Sequence, residues 1–388
     1  MKILTVIFLL SILSNHSISQ PVWNFQNSDT TSNLNEIFLI SPYSRPTLFI
    51  AGDNGTILRS TNLGLIWETI NSNTTSDLYS IAIVDNGIGY AVGSGGTIIK
   101  TIDSGNTWTN VLSNTLNDLK DVKLSFGTTG IAVGDNGTLL KLEDNIWTAS
   151  QIDTVDFNST AYGSFSPDFF LIVGNRGTLM RTTDRGLNWQ RLNTGTLNNL
   201  NYISTYDNII AGDGGIRLRI NGNNVYLFQT PTMNNLLGMV NYNYTTVISG
   251  ANGTVLRNDQ LVNTNVAVDL NSIMQTKYDN CFVAGDNGTI LFTNTFYWSS
   301  GFKQLDANNI STWFKNDGVF NRHPISQGGF EWPKGENKYV VFSSGSVIGA
   351  IVAGDSLVTV CEYNSEYFPG YTDNSGIPHG NGNAEYKI

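Results

Sequence analysis

Residues able to do nucleophilic or metal chemistry are scarce in this 388-residue chain. Beyond the N-terminal segment the histidines are His323 and His379, and neither has a second His or Cys at metal-ligand spacing. Cys281 and Cys361 lie in the apolar runs Asn280-Cys281-Phe282-Val283 and Val358-Thr359-Val360-Cys361, which read as buried free thiols, one disulfide being the alternative. There is no Gly-x-Ser-x-Gly elbow and no Asp-x-Asp-x-Asp-Gly calcium loop. The recurrent Gly-rich turns lack the Lys-Ser/Thr pair and following helix of a phosphate cradle. A carboxylate pair for glycoside hydrolysis stays open, because acid and nucleophile need not be close in sequence. The sequence therefore assigns no catalytic residue, no metal ligand and no cofactor.

What does recur with fixed placement is one short polar residue: Asn33, Asp77, Asp118, Asp156, Asn199, Asn235 and Asp269. Each immediately precedes an apolar phrase, namely Leu34-x-x-Ile37, Leu78-x-x-Ile81, Leu119-x-x-Val122, Phe157-x-x-Thr160, Leu200-x-x-Ile203, Leu236-x-x-Met239 and Leu270-x-x-Ile273. If these phrases are the innermost strands of repeated units, the seven polar residues form a ring at a channel mouth. Such side chains accept hydrogen bonds from nearby backbone N–H groups and fix turns. With four carboxylates among them, they are also a candidate site for a cation or a basic partner group.

The units that must position this ring are visible as a repeat. Ala51-Gly-Asp-Asn-Gly-Thr-Ile-Leu-Arg returns with small changes at Val92, Val133, Val173, Ala211, Ser249 and Ala284. The steps between Thr56, Thr97, Thr138, Thr178, Ile216, Thr254 and Thr289 are 41, 41, 40, 38, 38 and 35 residues, the period of four-stranded propeller blades. In the second copy the runs Leu78 to Val84, Gly89 to Val92, Thr97 to Thr101 and Thr107 to Val111 read as the four strands. The second and third runs join through tight turns whose glycines, Gly55, Gly96, Gly137, Gly177, Gly215, Gly253 and Gly288, are expected to supply positive φ. Four of these turns read Asn-Gly-Thr, at Asn54, Asn136, Asn252 and Asn287. They match glycosylation acceptors formally, but hairpin geometry already explains their placement.

Composition agrees. With 39 Gly against 9 Pro and 40% hydrophobic residues, the chain reads as all-β, many short strands joined by tight turns. The expected fold is a seven-bladed β-propeller over residues 20–300, with a small β-rich module and a disordered tail over residues 301–388. Trp67, Trp108, Trp147, Trp189 and Trp298 mark fourth runs and are expected to pack between blades. Val22-Trp23-Asn24-Phe25 offers a spare fourth strand able to close the ring. Trp298 offers the last blade a competing one, and an irregular eighth blade is a further alternative. Binding contacts are expected on the variable connections 71–77, 149–156 and 229–235.

The pattern Leu78-x-x-Ile81, Ala91-Val-Gly-Ser-Gly-Gly-Thr-Ile-Ile-Lys-Thr and Asp103-Ser-Gly-Asn-Thr-Trp108 resembles the repeat of photosystem II assembly and stability factor-like propellers, over about residues 22–300. The resemblance implies seven blades, an assembly-chaperone role and an arginine-rich binding face, whereas arginine here is spaced singly, as at Arg45, Arg176 and Arg257. Thr101-Ile-Asp103-Ser-Gly-Asn-Thr-Trp108 and Thr182-Thr-Asp184-Arg-Gly-Leu-Asn-Trp189 resemble the Asp-box, or BNR repeat, of sialidases. That likeness implies structural turns built on Asp103 and Asp184. Ser60-Thr-Asn-Leu-Gly-Leu-Ile-Trp67 is a worn copy without the Asp.

Met1-Lys2, the apolar run Ile3 to Leu13 and the small residues Ser17-Ile18-Ser19 read as a Sec signal peptide cleaved after Ser19. The run is too short to span a bilayer, so no membrane span is expected and the chain reads as secreted or held in the cell envelope. A net charge of -10 opposes a broad phosphate-binding surface and argues against nucleic acid as a partner. The C-terminal phrases Asn316-Asp-Gly-Val-Phe, Gly329-Phe-Glu-Trp-Pro-Lys-Gly335 and Glu366-Tyr-Phe-Pro-Gly370 resemble a module of large surface or secreted proteins of Bacteroidetes-like bacteria. The functional expectation is a monomeric, non-catalytic recognition scaffold for a protein partner or an extracellular polysaccharide. A sialidase-like glycan-active enzyme and an assembly chaperone for membrane complexes are the alternatives.

Overall fold

The computed structural model describes residues 23–40, 46–125, 129–162, 168–204, 208–242, 245–276 and 280–294, together with five strands between residues 341 and 379. The chain divides into two compact units, Met1–Tyr297 and Trp298–Ile388.

The first unit is a propeller of seven antiparallel four-stranded blades, numbered here in chain order. Their inner strands are Leu34–Ile40, Leu78–Ile83, Leu119–Ser125, Phe157–Tyr162, Leu200–Ile203, Leu236–Tyr242 and Ser272–Gln275. Blades 1 to 6 each run outward in sequence order. The seventh takes its fourth strand from the start of the chain: Asn24–Gln26 pairs with Ile290–Asn294, with Asn24 opposite Phe292 and Gln26 opposite Ile290. Of the two strands offered for closure, the N-terminal one is used. Trp298 lies outside the described residues.

Packing explains why blades this small are stable together. The buried apolar residues form seven clusters, each straddling two neighbouring blades. Leu78, Ile81 and Trp108 of blade 2 pack on Phe49 and Ile57 of blade 1, and Phe282, Ala284 and Ile290 of blade 7 pack on Leu34, Ile50 and Trp67 of blade 1. No blade buries its faces alone, so the ring supplies the core. Trp108 and Trp147 are fully buried, and Trp23 joins the cluster between blades 6 and 7. Truncating such a side chain to Ala costs about 3–5 kcal/mol. Cys281 is buried in the same cluster.

In the second unit, Val341–Ser343, Ser346–Ala353 and Ser356–Asn364 form a three-stranded antiparallel sheet, with Ala353 opposite Ser356 across the turn between its last two strands. Tyr371–Thr372 pairs with Pro378–His379.

Candidate functional site

The channel-mouth face is assembled from hairpins and blade connections. In each hairpin between second and third strands, both central residues have positive φ, as at Asn136 (53°) and Gly137 (65°), and Thr138 N–H donates back to the Asp135 carbonyl. This is a type I′ turn, whose twist matches that of the flanking strands. All seven turn glycines named from the sequence have φ between 65° and 72°. An added Cβ on Gly137 would sit 2.2 Å from the Asp153 carbonyl oxygen, in the connection to the next blade. Glycine is thus required twice, for φ and for the close approach of neighbouring backbone. Asn54, Asn136, Asn252 and Asn287 hold the first central position of their turns, all with positive φ.

Asn33, Asp77, Asp118, Asp156, Asn199, Asn235 and Asp269 occupy equivalent positions around the ring, and all seven make the same pair of contacts. Each side-chain Oδ1 accepts a hydrogen bond from the first central turn residue of the preceding blade. The donors are the backbone N–H groups of Asn54 to Asp77 (2.9 Å), Gly95 to Asp118 (2.8 Å), Asn136 to Asp156 (2.9 Å) and Arg176 to Asn199 (3.1 Å). Gly214 to Asn235 (3.1 Å), Asn252 to Asp269 (2.9 Å) and Asn287 to Asn33 (3.1 Å) complete the circle. Each residue's own carbonyl accepts from its own blade's hairpin, for example from Asp53 N–H to Asn33 and from Asn175 N–H to Asp156. The ring therefore staples every hairpin to the next blade.

The second polar atom of several ring residues is matched to its hairpin by charge. Ring amides donate to turn carboxylates, Asn33 to Asp53 and Asn199 to Asp213, both at 3.0 Å. In blade 4 the roles reverse, and Asn175 donates to the Asp156 carboxylate. Blade 3 has carboxylates at both places, and Lys120 bridges them, 3.0 Å from Asp118 and 3.7 Å from Asp135. Burial acts to raise Asp118, but the Gly95 N–H and Lys120 outweigh it and hold its carboxyl below the usual range. Lys120 also lies 4.4 Å from the Tyr79 ring centroid. Burial, helped by the carboxylates of Asp118, Asp77 and Asp53, pushes the Tyr79 phenol up to about 12.

One step into the channel lies a second polar layer, which the sequence reading missed. A β-bulge after the first inner-strand residue turns the next side chain toward the following blade. Asn35, Asn158, Asn201 and Asn271 donate from there to the carbonyls of Leu78, Leu200, Leu236 and Leu34. Below them Glu36, Ser80, Asp121, Ser159 and Ser272 each accept from a backbone N–H of the next blade, belonging to Ile81, Val122, Thr160, Ile203 and Ile37. Two of these acceptors are carboxylates. Lys123 lies between them, 2.6 Å from Asp121 and 3.3 Å from Glu36, linking blade 3 to blade 1. Burial lowers the tendency of Lys123 to hold its proton, but the two carboxylates more than offset this and hold its pKa above the ordinary value. Glu36 is raised by burial, with Lys123 opposing and Asp121 adding to the rise. The signal for this layer was present: two positions past each ring residue, and again three, the residue types are polar in most copies.

Asp103 and Asp184 build turns on the opposite face. Asp184 Oδ1 accepts from Thr182 Oγ1 and Asn188 N–H, and Thr182 Oγ1 accepts from Gly186 N–H. Asp103 repeats the pattern with Thr101, Gly105 and Thr107. The copy without Asp is intact in geometry, because Asn62 accepts from Ser60 Oγ and Ile66 N–H in the same way.

On the mouth face itself, Leu116, Leu197 and Met233 stand two residues before a ring residue and are 89%, 83% and 75% exposed. Of the connections singled out in the sequence, 229–235 carries one of them, while in 149–156 Asp153 receives Arg191. In 71–77 the side chains bond mainly within the segment, Asn71 to Asn73 and Ser72 to the Thr74 carbonyl, while the Asn73 amide donates to the Trp108 carbonyl. Among the described residues no group of three His, Cys, Asp or Glu comes together as a metal site, and no helix is long and apolar enough to cross a membrane.

No family model and no curated protein sequence matches the chain. Solved structures do. YCF48 bound to a D1 peptide matches 73% of this chain and 100% of its own at 17% identity and a TM-score of 0.57. YCF48 from Cyanidioschyzon merolae matches 70% and 99% at 15% identity and 0.59. The WD40 β-propeller domain of Doa1 matches 72% and 97% at 12% identity and 0.58. The shared property is the propeller fold, which is the fold expected from the photosystem II factor-like repeat.

Proposed function

We propose that this protein is an exported, non-catalytic recognition scaffold that seats a protein partner on its channel-mouth face. The observation that carries the proposal is the trio Leu116, Leu197 and Met233. These large apolar side chains are held out in solvent at one repeat position, on connections anchored by the stapled hairpins. Exposed apolar groups on a rigid frame fit a docking surface better than any folding role. A propeller of the same fold, YCF48, is bound to a peptide, which supports a peptide or protein ligand here. A sialidase-like reading needs an arginine cluster at a channel mouth, and none of the seven inner strands contains an arginine.

The test is a quantitative pull-down from the envelope and medium of the producing organism, comparing the unaltered protein with Leu116→Ser, Leu197→Ser, Met233→Ser combined. A protein captured by the first and depleted roughly tenfold with the second, about 1.4 kcal/mol, supports the reading. Identical capture profiles overturn it. Glycan-array binding with release of reducing ends would replace it with the enzyme reading. Secreted protein beginning at Gln20 would support export.

A further inference from the structure

The outermost strands of the blades are mostly poor templates for further pairing. Those of blades 1, 2, 4, 6 and 7 are two or three residues long. That of blade 3, Ile146–Gln151, has its Trp147 turned into the core. Blade 5 is different. Its outer strand Asn224–Gln229 has six residues, Asn-Val-Tyr-Leu-Phe-Gln, without a charge or a proline, and Tyr226, Leu227 and Phe228 are 44–47% exposed. Long, apolar, uncharged edges are what soluble proteins usually avoid, because they pair with other strands.

The register shows what this edge offers. Asn221 and Asn224 flank the two-residue hairpin Gly222-Asn223, so they form a hydrogen-bonded pair, and the bonding alternates from there. The backbone groups of Asn224, Tyr226 and Phe228 are spent on the third strand. Those of Val225, Leu227 and Gln229 point outward. From this geometry we infer that the blade 5 edge pairs, antiparallel, with the same strand of a second copy of this chain.

The strand is self-complementary. A two-fold axis at Leu227 sets Leu227 opposite Leu227, Val225 opposite Gln229 and Tyr226 opposite Phe228, and outward-pointing backbone groups meet each other. Tyr226 and Phe228 share one face, so the pairing creates two cross-strand aromatic pairs there. Charge also permits a second copy here. The chain carries -10, yet residues 220–256 contain no charged side chain, so two copies meet here without the repulsion their other surfaces would impose. Of the two arginines opposite the aromatic pair, Arg217 lies over the Phe228 ring, 5.6 Å to its centroid, and is 2.8 Å from Asp259, while Arg219, opposite Tyr226, is exposed. Each cross-strand row then reads arginine, aromatic, aromatic, arginine, with like charges kept apart. This departs from the monomer expected in the sequence analysis, and it is independent of the partner proposed for the mouth face.

The experiment is sedimentation velocity on the purified protein over about 1–100 μM, the range suited to an interface at the small end of the size distribution. Two variants accompany it. Leu227→Pro removes only an outward-pointing N–H and spares the ladder within the blade; Tyr226→Lys sets like charges near the axis. A concentration-dependent dimer, with association weakened at least tenfold in both variants and unchanged circular dichroism and melting temperature, is the expected result. A protein that stays monomeric throughout the range overturns the inference. So does a dimer that survives both substitutions, since its interface must then lie elsewhere. If Leu227→Pro melts early, Tyr226→Lys alone decides.

Discussion

Replacing Lys123 with Met should be among the most damaging single changes in the propeller, and its cost should depend on pH. The methionine keeps the length and the apolar stem but removes the ammonium that lies 2.6 Å from Asp121 and 3.3 Å from Glu36. All three side chains are 7–16% exposed, so water screens little. Breaking a buried pair by deleting one partner costs about 3–5 kcal/mol, because the other charge stays buried. The two carboxylates would not suffer equally. Asp121 keeps hydrogen bonds from Ser80 Oγ, Ser159 Oγ and Thr160 N–H. Glu36 has Ile81 N–H, and burial already raises its pKa. Glu36 should therefore be the group that takes up a proton. A carboxyl whose folded pKa lies above its unfolded value destabilises the fold at high pH, and the penalty fades as pH falls through the folded pKa. Urea unfolding of the variant at pH 7 should show a midpoint lowered by roughly 1–1.7 M, taking a slope of about 3 kcal/mol per M, and the deficit should shrink by pH 5. Adding Glu36→Gln should restore more than half of the loss at pH 7. A deficit under about 1 kcal/mol, or one equal at both pH values, would refute the account of the triad.

Three further outcomes follow from the same structure. Gly137→Ala combines a positive φ with a Cβ 2.2 Å from the Asp153 carbonyl and should cost more than about 3 kcal/mol, whereas Gly195→Ala, also at positive φ but with open space around it, should cost about 1 kcal/mol; parallel urea melts compare them. Trp23→Ala should destabilise the propeller by about 3–5 kcal/mol, read by the same melts, because Trp23 belongs to the cluster joining blades 6 and 7. Asp184, held down to about 2 by the Asn188 N–H, the Asn188 amide and Thr182, should keep its turn formed above the usual carboxylate range and lose it only as pH falls toward 2. Carboxyl carbon NMR should follow that titration, and a midpoint near 4 would contradict the hydrogen bonding.

Much of the fold is legible in the sequence because the blades share one hydrogen-bonding plan. The Gly-x-x-Gly-Thr phrase marks a turn that only glycine permits, and the Asn or Asp before each inner strand marks the acceptor that ties that turn to the next blade. Even the degenerate phrase at Ala211 keeps both features, through Gly214 and Gly215. The closing strand is ambiguous in the repeat phrases themselves, although the tryptophan spacing marks it: Trp23 precedes Asn33 by the same ten residues that separate Trp67 from Asp77, Trp108 from Asp118 and Trp189 from Asn199. The channel triad was hidden for a different reason. Glu36, Asp121 and Lys123 belong to two blades that are not neighbours, and only closure of the ring brings them together. The outer edge of blade 5 was hidden because nothing in the repeat tells an exposed outer strand from a covered one.

Because blade 7 is completed by the strand that precedes blade 1, that strand has to wait for the blade made last of the seven. Gln26 finds its partner at Ile290, 264 residues later (290 − 26), so all of that chain is made before Asn24–Gln26 has anything to pair with. At roughly 5–20 residues per second, synthesis leaves this strand and Trp23 uncovered for something like a quarter of a minute to most of one. Until that strand docks, the blades already made form an open arc whose two ends are unpaired apolar faces. Whatever guards those ends until they meet governs how much of the protein matures, and altering the speed of synthesis between Leu34 and Asn294 should change yield without changing any contact in the finished ring.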